Sequence, residues 1–434
     1  MLNTERAIIR RGATTLAFVA ALAPASALTP EPALAQEPQD TVALGELVVT
    51  ATRVAVPLAT VPAAVTVVRG EELQARGVAH VLDAIRALPG ISVVQSGSHG
   101  ATTSLFVRGG ESDYVKVLVD GVPINEPGGR ADLANLSTAN IERIEVVRGP
   151  ASVLYGSDAV SGVIQIFTKE GRGRTRANAT VRGGSRGTLE YGADISGAAG
   201  PASYSFSGSR FQTDGIYDFN NEYRNDALSG RIRFEPDART DATLTVRYGS
   251  GEFHYPTDSG GNVVDRNAYQ LEDRLTLGFE AARRLTDRLE LRLLLSLSDL
   301  EAGTRDAQDD ETDTSGTYAY FADTETRRRS VDLRANYGLG TSVVLTAGVE
   351  LEDQQTESSS EYESEWGPGS DSFGAERTNR GVYAQALVQP IPALALTLGA
   401  RVDDNDAFGT FGTYRAGVAY RPAQETKLRA GVGT

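Results

Sequence analysis

The 434-residue sequence contains no cysteine. Structural disulfides, cysteine-based zinc sites and thiol nucleophiles are therefore excluded. Histidine is nearly as scarce, with His80, His99 and His254 as the whole set, so general-base chemistry of the Ser-His-Asp kind has few candidates and an enzyme is not expected. No stretch reaches the roughly 18 consecutive apolar residues of a membrane-crossing helix, so any membrane crossing must use strands. Positive charge is in deficit as well: the formal net charge is -15, which argues against nucleic acid as a partner, since that partner selects basic patches. No Gly-x-x-x-x-Gly-Lys-Ser/Thr run is present to cradle nucleotide phosphates.

What is present begins with an export signature. Arg6, Arg10 and Arg11 precede the short apolar run 13–23, and two small-x-small patterns follow, Ala25-Ser26-Ala27 and Ala33-Leu34-Ala35. This is the layout of a signal peptide over residues 1–35, with cleavage expected after Ala35. The stretch Gly45-Glu46-Leu47-Val48-Val49-Thr50-Ala51-Thr52-Arg53 comes next. Its centre has strong strand propensity, yet no hairpin turn adjoins it, so it is expected to be a strand without a partner in its own chain.

Two regions of different periodicity follow. Residues 54–172 read as a compact α+β unit. Strands are expected near 65–68, 91–95, 104–108, 115–120, 143–148 and 162–168, with helical turns between Gly70 and Pro89-Gly90. From residue 173 to 434 the pattern becomes apolar/polar alternation. Leu289, Leu291, Leu293, Leu295 and Leu297 face one way and Arg288, Glu290, Arg292, Ser296 and Ser298 the other, with Leu294 as the exception. About 13 strands are expected here. Short connections alternate with long polar stretches near 212–226, 250–270, 300–325 and 353–376, the arrangement of an outer-membrane barrel with short inner turns and long external loops. A wide, polar-lined barrel leaks unless stopped, and the preceding α+β unit is placed to be its plug.

Several motifs carry a family resemblance. Arg108-Gly109, Leu118-Val119-Asp120-Gly121-Val122, the run from Ile141 to Pro150, Leu154-Tyr155-Gly156-Ser157 and Gly162-Val163-Ile164-Gln165-Ile166 resemble the plug of TonB-dependent outer-membrane transporters. Ser161 and Gln165 depart from the family's usual Gly and Asn. Within the family, the 152–160 segment, the short loop Gly128–Leu133 and the short leader are similar to the cobalamin receptor group; siderophore and haem receptors share much of this. The implied fold is an α+β plug inside an antiparallel transmembrane β-barrel of about 22 strands. The final segment, 427–434, reads as a strand in progress, so the sequence is expected to be a fragment lacking roughly nine strands, and one that would not work as a closed transporter on its own. A signal-transducing receptor would carry an added folded domain before residue 46, and little chain is available there.

The resemblance implies roles for particular residues. Glu46, Leu47, Val48, Val49, Thr50, Ala51 and Thr52 would be the box that pairs, strand to strand, with the energy-transducing protein TonB. Arg108, Arg148 and Glu145 would anchor the plug, the arginines through barrel-wall carboxylates; exposed turn arginines are the alternative. Ser96, Ser98, His99, Asn125 and Arg130 would contact a small-molecule nutrient, cobalamin or a ferric siderophore, although a loop histidine can equally be just solvated. Asp214, Asp218, Asn225, Asp226, Asp258 and Asp265 offer hard oxygen ligands for calcium, as in external loops of cobalamin receptors, or form merely a solvated acidic surface. No other cofactor is expected. The protein is expected to be an outer-membrane monomer with lipid as its further partner.

Overall fold

The computed structural model describes residues 47–258, 260–423 and 426–434. The expected signal peptide and Glu46 lie outside these residues. The chain opens with two short strands, β1 (Leu47–Val48) and β2 (Val56–Pro57). The plug follows as β3 (Ala64–Arg69), α1 (Gly70–Ala75), α2 (Val81–Ile85), β4 (Ile91–Gln95), β5 (Thr103–Val107), β6 (Val115–Val119), β7 (Val122–Pro123), β8 (Ile141–Arg148), α3 (Ser152–Tyr155) and β9 (Gly162–Thr168). The wall strands are β10 (Arg176–Gly183), β11 (Leu189–Ala199), β12 (Ala202–Thr213), β13 (Tyr223–Asp237), β14 (Thr240–His254), β15 (Tyr269–Arg284) and β16 (Leu289–Asp306). They continue as β17 (Thr317–Leu339), β18 (Val343–Ser364), β19 (Gly369–Ile391), β20 (Leu394–Asn405), β21 (Gly409–Ala423) and β22 (Thr426–Gly433).

The plug is a five-stranded sheet in the order β3-β8-β9-β6-β7, with β6 parallel to β9 and the other pairs antiparallel. Strand β6 is buried along its whole length, which is why Val115-Lys116-Val117-Leu118-Val119 carries no alternation. Its Val115, Val117 and Val119 join Leu73, Val81, Leu82 and Ile85 of the two helices and Ile144, Val146, Ile164 and Ile166 of β8 and β9 in one core, while Leu118 packs on the other face with Val147 and Leu154. Strands β4 and β5 form a separate hairpin.

The wall is a 13-stranded sheet in sequence order, every neighbouring pair antiparallel, with β10 and β22 at its edges among the described residues. The alternation in sequence maps onto its two faces. Leu291 and Leu295 point outward and are exposed, whereas Ser296 and Ser298 are buried on the inner face, where Ser296 meets Ser330 across β16 and β17 at 2.5 Å. Leu294 breaks the pattern because it covers the plug: it is buried, and a Cβ placed on Gly121 would stand 3.2 Å from it.

Two expectations are corrected. Leu47–Val48 does have a partner in its own chain, since β1 pairs with β2 in the register Leu47↔Pro57 and Val48↔Val56. The chain reverses through Val49–Arg53, where the Thr52 and Arg53 amides donate to the Val49 carbonyl and Arg53 takes φ 55°. No glycine marks that turn, so it left no sequence signal. The polar stretch 353–376 is also not a long loop. Strands β18 and β19 run on to Ser364 and from Gly369, and 300–325 shrinks to a connection over 307–316. Backbone ladders need no apolar face, and above the lipid both faces are wet, so hydroxyl pairs such as Thr324–Ser358 (2.9 Å) and Thr326–Thr356 (3.1 Å) replace apolar contacts.

Ile164 pairs with Val117 and Val146 at the centre of the plug sheet and is fully buried. Ile164→Ala should cost about 2–5 kcal/mol, seen as faster amide exchange across β8 and β9, with the wall strands unchanged.

Candidate functional site

The described part of the box is docked. Glu145, in the middle of β8 and with no exposed surface, accepts hydrogen bonds from the Val49 amide (3.0 Å), the Thr50 amide (2.9 Å) and the Thr50 hydroxyl (2.7 Å). Its other oxygen takes an ion pair from Arg143 at 2.8 Å, and that guanidinium stacks over Phe167 at 3.9 Å. The Thr50 hydroxyl also reaches Gln165 at 3.3 Å. Gln165 therefore has a structural use at the position where the family usually has Asn. From the wall, Arg415 donates to the Ala51 carbonyl (3.0 Å) and Gln385 to the Thr52 carbonyl (3.1 Å). Val48, Thr50, Ala51 and Thr52 are buried, while Leu47 stays 53% exposed.

Arg53 closes the segment against the barrel. Its guanidinium donates to Asp332 of β17 (2.5 Å) and to the Tyr383 hydroxyl of β19 (2.9 Å), and Tyr383 itself donates to Asp332 at 2.7 Å. The cation lies 4.8 Å from the Tyr155 ring centroid. Burial, the largest single effect, opposes the Arg53 charge, but Asp332, Tyr383, Glu350 and Tyr155 together outweigh it and raise its pKa well above the ordinary value. Sequence reasoning missed this triad. Arg53 and Asp332 are 279 residues apart, and nothing local marks either.

Elsewhere the wall grips the plug with charged side chains. Lys116 pairs with Asp158 at 2.9 Å, and Arg328 and Glu352 of the wall lie within 3.9 Å of that pair. Burial alone would raise the Asp158 carboxyl; Lys116 and Arg328 outweigh it and hold it below the carboxylate range. Arg247 donates to the Ser137 carbonyl (2.7 Å), and Arg274 to that of Ile124 (2.7 Å). The expected plug-anchoring arginines are placed otherwise. Arg148 donates to the Pro89 carbonyl and to the Thr66 hydroxyl (2.5 Å), not to a wall carboxylate. Arg108 is exposed at φ 52° and forms no ion pair among the described residues. Both line a groove with Arg415 and Arg429 of the wall; burial, then Arg108 and Arg429, lower the pKa of Arg148. Glu145 does anchor, but what it holds is the box.

On the outer face, the expected ligand residues scatter. Ser96 donates to the Thr102 carbonyl, and Ser98 accepts from Asn221 of the wall. Asn125 is buried and ties the backbone at Val115, Val117 and Gly129, a structural role. Arg130 pairs with Glu126 and lines a cavity of about 580 Å³ between the plug apex and β14–β19. His99 joins His80, Phe211 and Tyr223 in an aromatic cluster, the two imidazole centroids 5.8 Å apart. Burial, then His99, pushes His80 down to about 4, and burial lowers His99 as well.

The proposed calcium ligands are not brought together. Asp226 is taken by Arg210, and the Asn225 side chain donates to the plug's Asn135 carbonyl. Asp258 caps its own loop through the Gly260 and Asn262 amides, and Asp265 accepts from the Asn267 and Ala268 amides. Asp218 is exposed, and Asp214 lies against the 184–188 turn through its amide. Among the described residues, no group of three or more acidic or histidine side chains could hold a metal ion.

A plug threaded inside a strand wall, with a docked N-terminal segment at the seam, defines a plugged outer-membrane receptor. The TonB-dependent receptor plug model matches residues 57–163, and the TonB-dependent receptor-like β-barrel model matches residues 172–434. The chain belongs to the TonB-dependent receptor family. It is similar to the vitamin B12 transporter BtuB of Photobacterium profundum, 27% identical over 89% of this chain and 61% of that protein. The corresponding figures for the vitamin B12 transporter BtuB of Vibrio vulnificus are 30%, 89% and 62%. The chain thus spans under two thirds of the length of these relatives. Among solved structures, the ferripyoverdine receptor of the outer membrane of Pseudomonas aeruginosa superposes with a TM-score of 0.72 at 18% identity, over 89% of this chain and 58% of that one. At that identity the likeness establishes the fold.

Glu145→Leu removes the acceptor for three box donors, each costing about 1–3 kcal/mol when left unmet. A cysteine at Ala51, buried in the parent chain, should then react readily with maleimide. His80 has a folded pKa of about 4 against 6.5 unfolded, so its neutral form is the one favoured by folding. Its contribution is intact above pH 6.5 and is lost as pH falls toward 4, by about 3 kcal/mol at most. Amide protection of residues 96–102 should fall over that window, and His80→Asn should flatten the dependence.

Proposed function

We propose that this receptor imports a scarce nutrient of the cobalamin type across the outer membrane, with TonB engaging residues 46–52 and supplying the energy. The carrying observation is the docking of the box. Its backbone is hydrogen-bonded at once to the plug, through Glu145, and to the wall, through Gln385 and Arg415. A pull on that segment therefore loads the seam between plug and wall. Two-residue β1, with its exposed Leu47, offers a short edge to a partner strand. The cobalamin reading is supported by likeness in sequence to two vitamin B12 transporters along most of the chain. A ferric siderophore or haem receptor is the second reading, favoured by the shared fold of the ferripyoverdine receptor.

Cells carrying the full-length protein should bind and take up cyanocobalamin, and Val48→Pro, which removes a ladder donor, should abolish uptake while leaving surface binding intact. Normal uptake by that variant would refute the box assignment. Binding of ferric chelates alone would shift the substrate to the second reading.

A further inference from the structure

Plug and wall are not sealed evenly. Along β17–β20 the plug is held by Arg53 on Asp332, Lys116 and Asp158 among Arg328 and Glu352, Gln385 on the Thr52 carbonyl, and Val153 of α3 against Gly399. Along β14 and β15, around the Arg247–Ser137 and Arg274–Ile124 contacts, runs a file of cavities whose larger members also reach β16 and β17. The outer one, about 580 Å³, includes Gly251 of β14 with Gln270 and Glu272 of β15. A small one, about 20 Å³, shares Glu272, Asp132 and Asn135 with it and continues inward to Arg247, Arg274 and Thr276. The inner one, about 810 Å³, takes up the same strand faces at Thr245, Gly278 and Glu280 and ends beside Leu47 and Val49 of the box. Successive inward residues of two adjacent strands therefore line all three, and the inner mouth opens at the segment that TonB would pull.

One element interrupts the file between Thr276 and Gly278, the β6–β7 hairpin. Its turn, Asp120-Gly121, has φ of 48° and 85°. Val122 fills the space that a side chain on Gly278 would need, its Cγ2 3.0 Å from that position, and Leu294 covers Gly121. Strand β7 is the least held part of the plug sheet. It has two residues, lies at the sheet edge, pairs with β6 alone in the register Val119↔Val122 and Leu118↔Pro123, and its Pro123 has no amide to give. Moving it breaks few ladder bonds, whereas β8 and β9 are paired on both sides. The hairpin is also linked to the box: Asp120 accepts from the amide and hydroxyl of Thr168 on β9, and β9 carries Gln165, which accepts from Thr50.

We propose that solute crosses this receptor along the β14–β15 seam, with the β6–β7 hairpin as the gate that box extraction releases. The proposal rests on the transport reading above. The lining sets charged and hydroxyl groups, Asp132, Glu272, Arg247, Arg274 and threonines, among apolar residues such as Phe253, Ile124 and Leu118, and so suits a solute that carries both hydrogen-bonding groups and apolar surface.

The absence of native cysteine makes the test direct. Thr276→Cys sits in the file beside the gate, and Thr397→Cys is a similarly buried inward position on β20 that lines none of the three cavities (5% and 2% exposed in the native residues). Each is exposed to a membrane-impermeant maleimide in intact cells, energised or treated with an ionophore, after its assembly in the outer membrane is checked. Labelling of Thr276→Cys should rise several-fold on energisation, while Thr397→Cys stays protected. Equal gain at both positions, gain at Thr397→Cys alone, or no gain at either overturns the route. Cyanocobalamin uptake by the parent cells is scored separately. Its absence, with the expected labelling pattern, counts against the substrate reading; uptake without that pattern counts against the seam.

Discussion

A carboxylate buried without compensation costs several kcal/mol, and Glu145 lies with no exposed surface in the central strands of the plug. Arg143 meets one of its oxygens; the other is met by the backbone and hydroxyl of the box. The plug core is thus electrostatically complete only while the N-terminal segment is docked. That makes the segment part of the plug rather than an appendage, and it explains why a stretch with the composition of an exposed strand is instead buried at Val48, Thr50, Ala51 and Thr52. Arg53 extends the same logic to the wall, because Asp332 and Tyr383 are buried polar groups that the arginine satisfies.

The remaining contacts follow from the polar inner face of a wide barrel. Wall arginines reach plug carbonyls at Ser137 and Ile124, and wall and plug charges interleave around Asp158. Such contacts are directional and break cleanly when geometry changes, unlike an apolar seal, whose area would have to be peeled. A stopper that must hold against leakage and still yield to a pull is better served by the former. The file of cavities along β14–β15 gives yielding a direction.

The fold was largely readable because it rests on local periodicity. Strands β4 and β9 fall on the residues expected from their turn signals, and the 13 wall strands follow from alternation. Even the one irregularity, Leu294, had a physical meaning, a lumen-side leucine over Gly121. What could not be read were long-range polar pairings. Arg53 and Asp332, Thr50 and Glu145, and Gln385 and Thr52 are each joined only by the fold. Turns without glycine, such as Val49–Arg53, were equally silent. Polar strand ends such as 353–364 and 369–376 read as loops because hydrophobic pattern, not backbone pairing, is what sequence displays. The Arg-Gly motifs suggest wall partners for their arginines, but Arg148 spends its donors on Pro89 and Thr66.

The central claim is that the box is held at once by the plug and the wall, with Arg53 as the wall-side tie. The most direct measurement is the mobility of a spin label on Leu47→Cys, the sole cysteine of the chain, in the parent, Arg53→Ala, Asp332→Ala and the double variant. The predicted result is an immobilised label in the parent, a mobile one in either single variant, and no further change in the double. A label already mobile in the parent, or one that stays immobilised in both single variants, would contradict it.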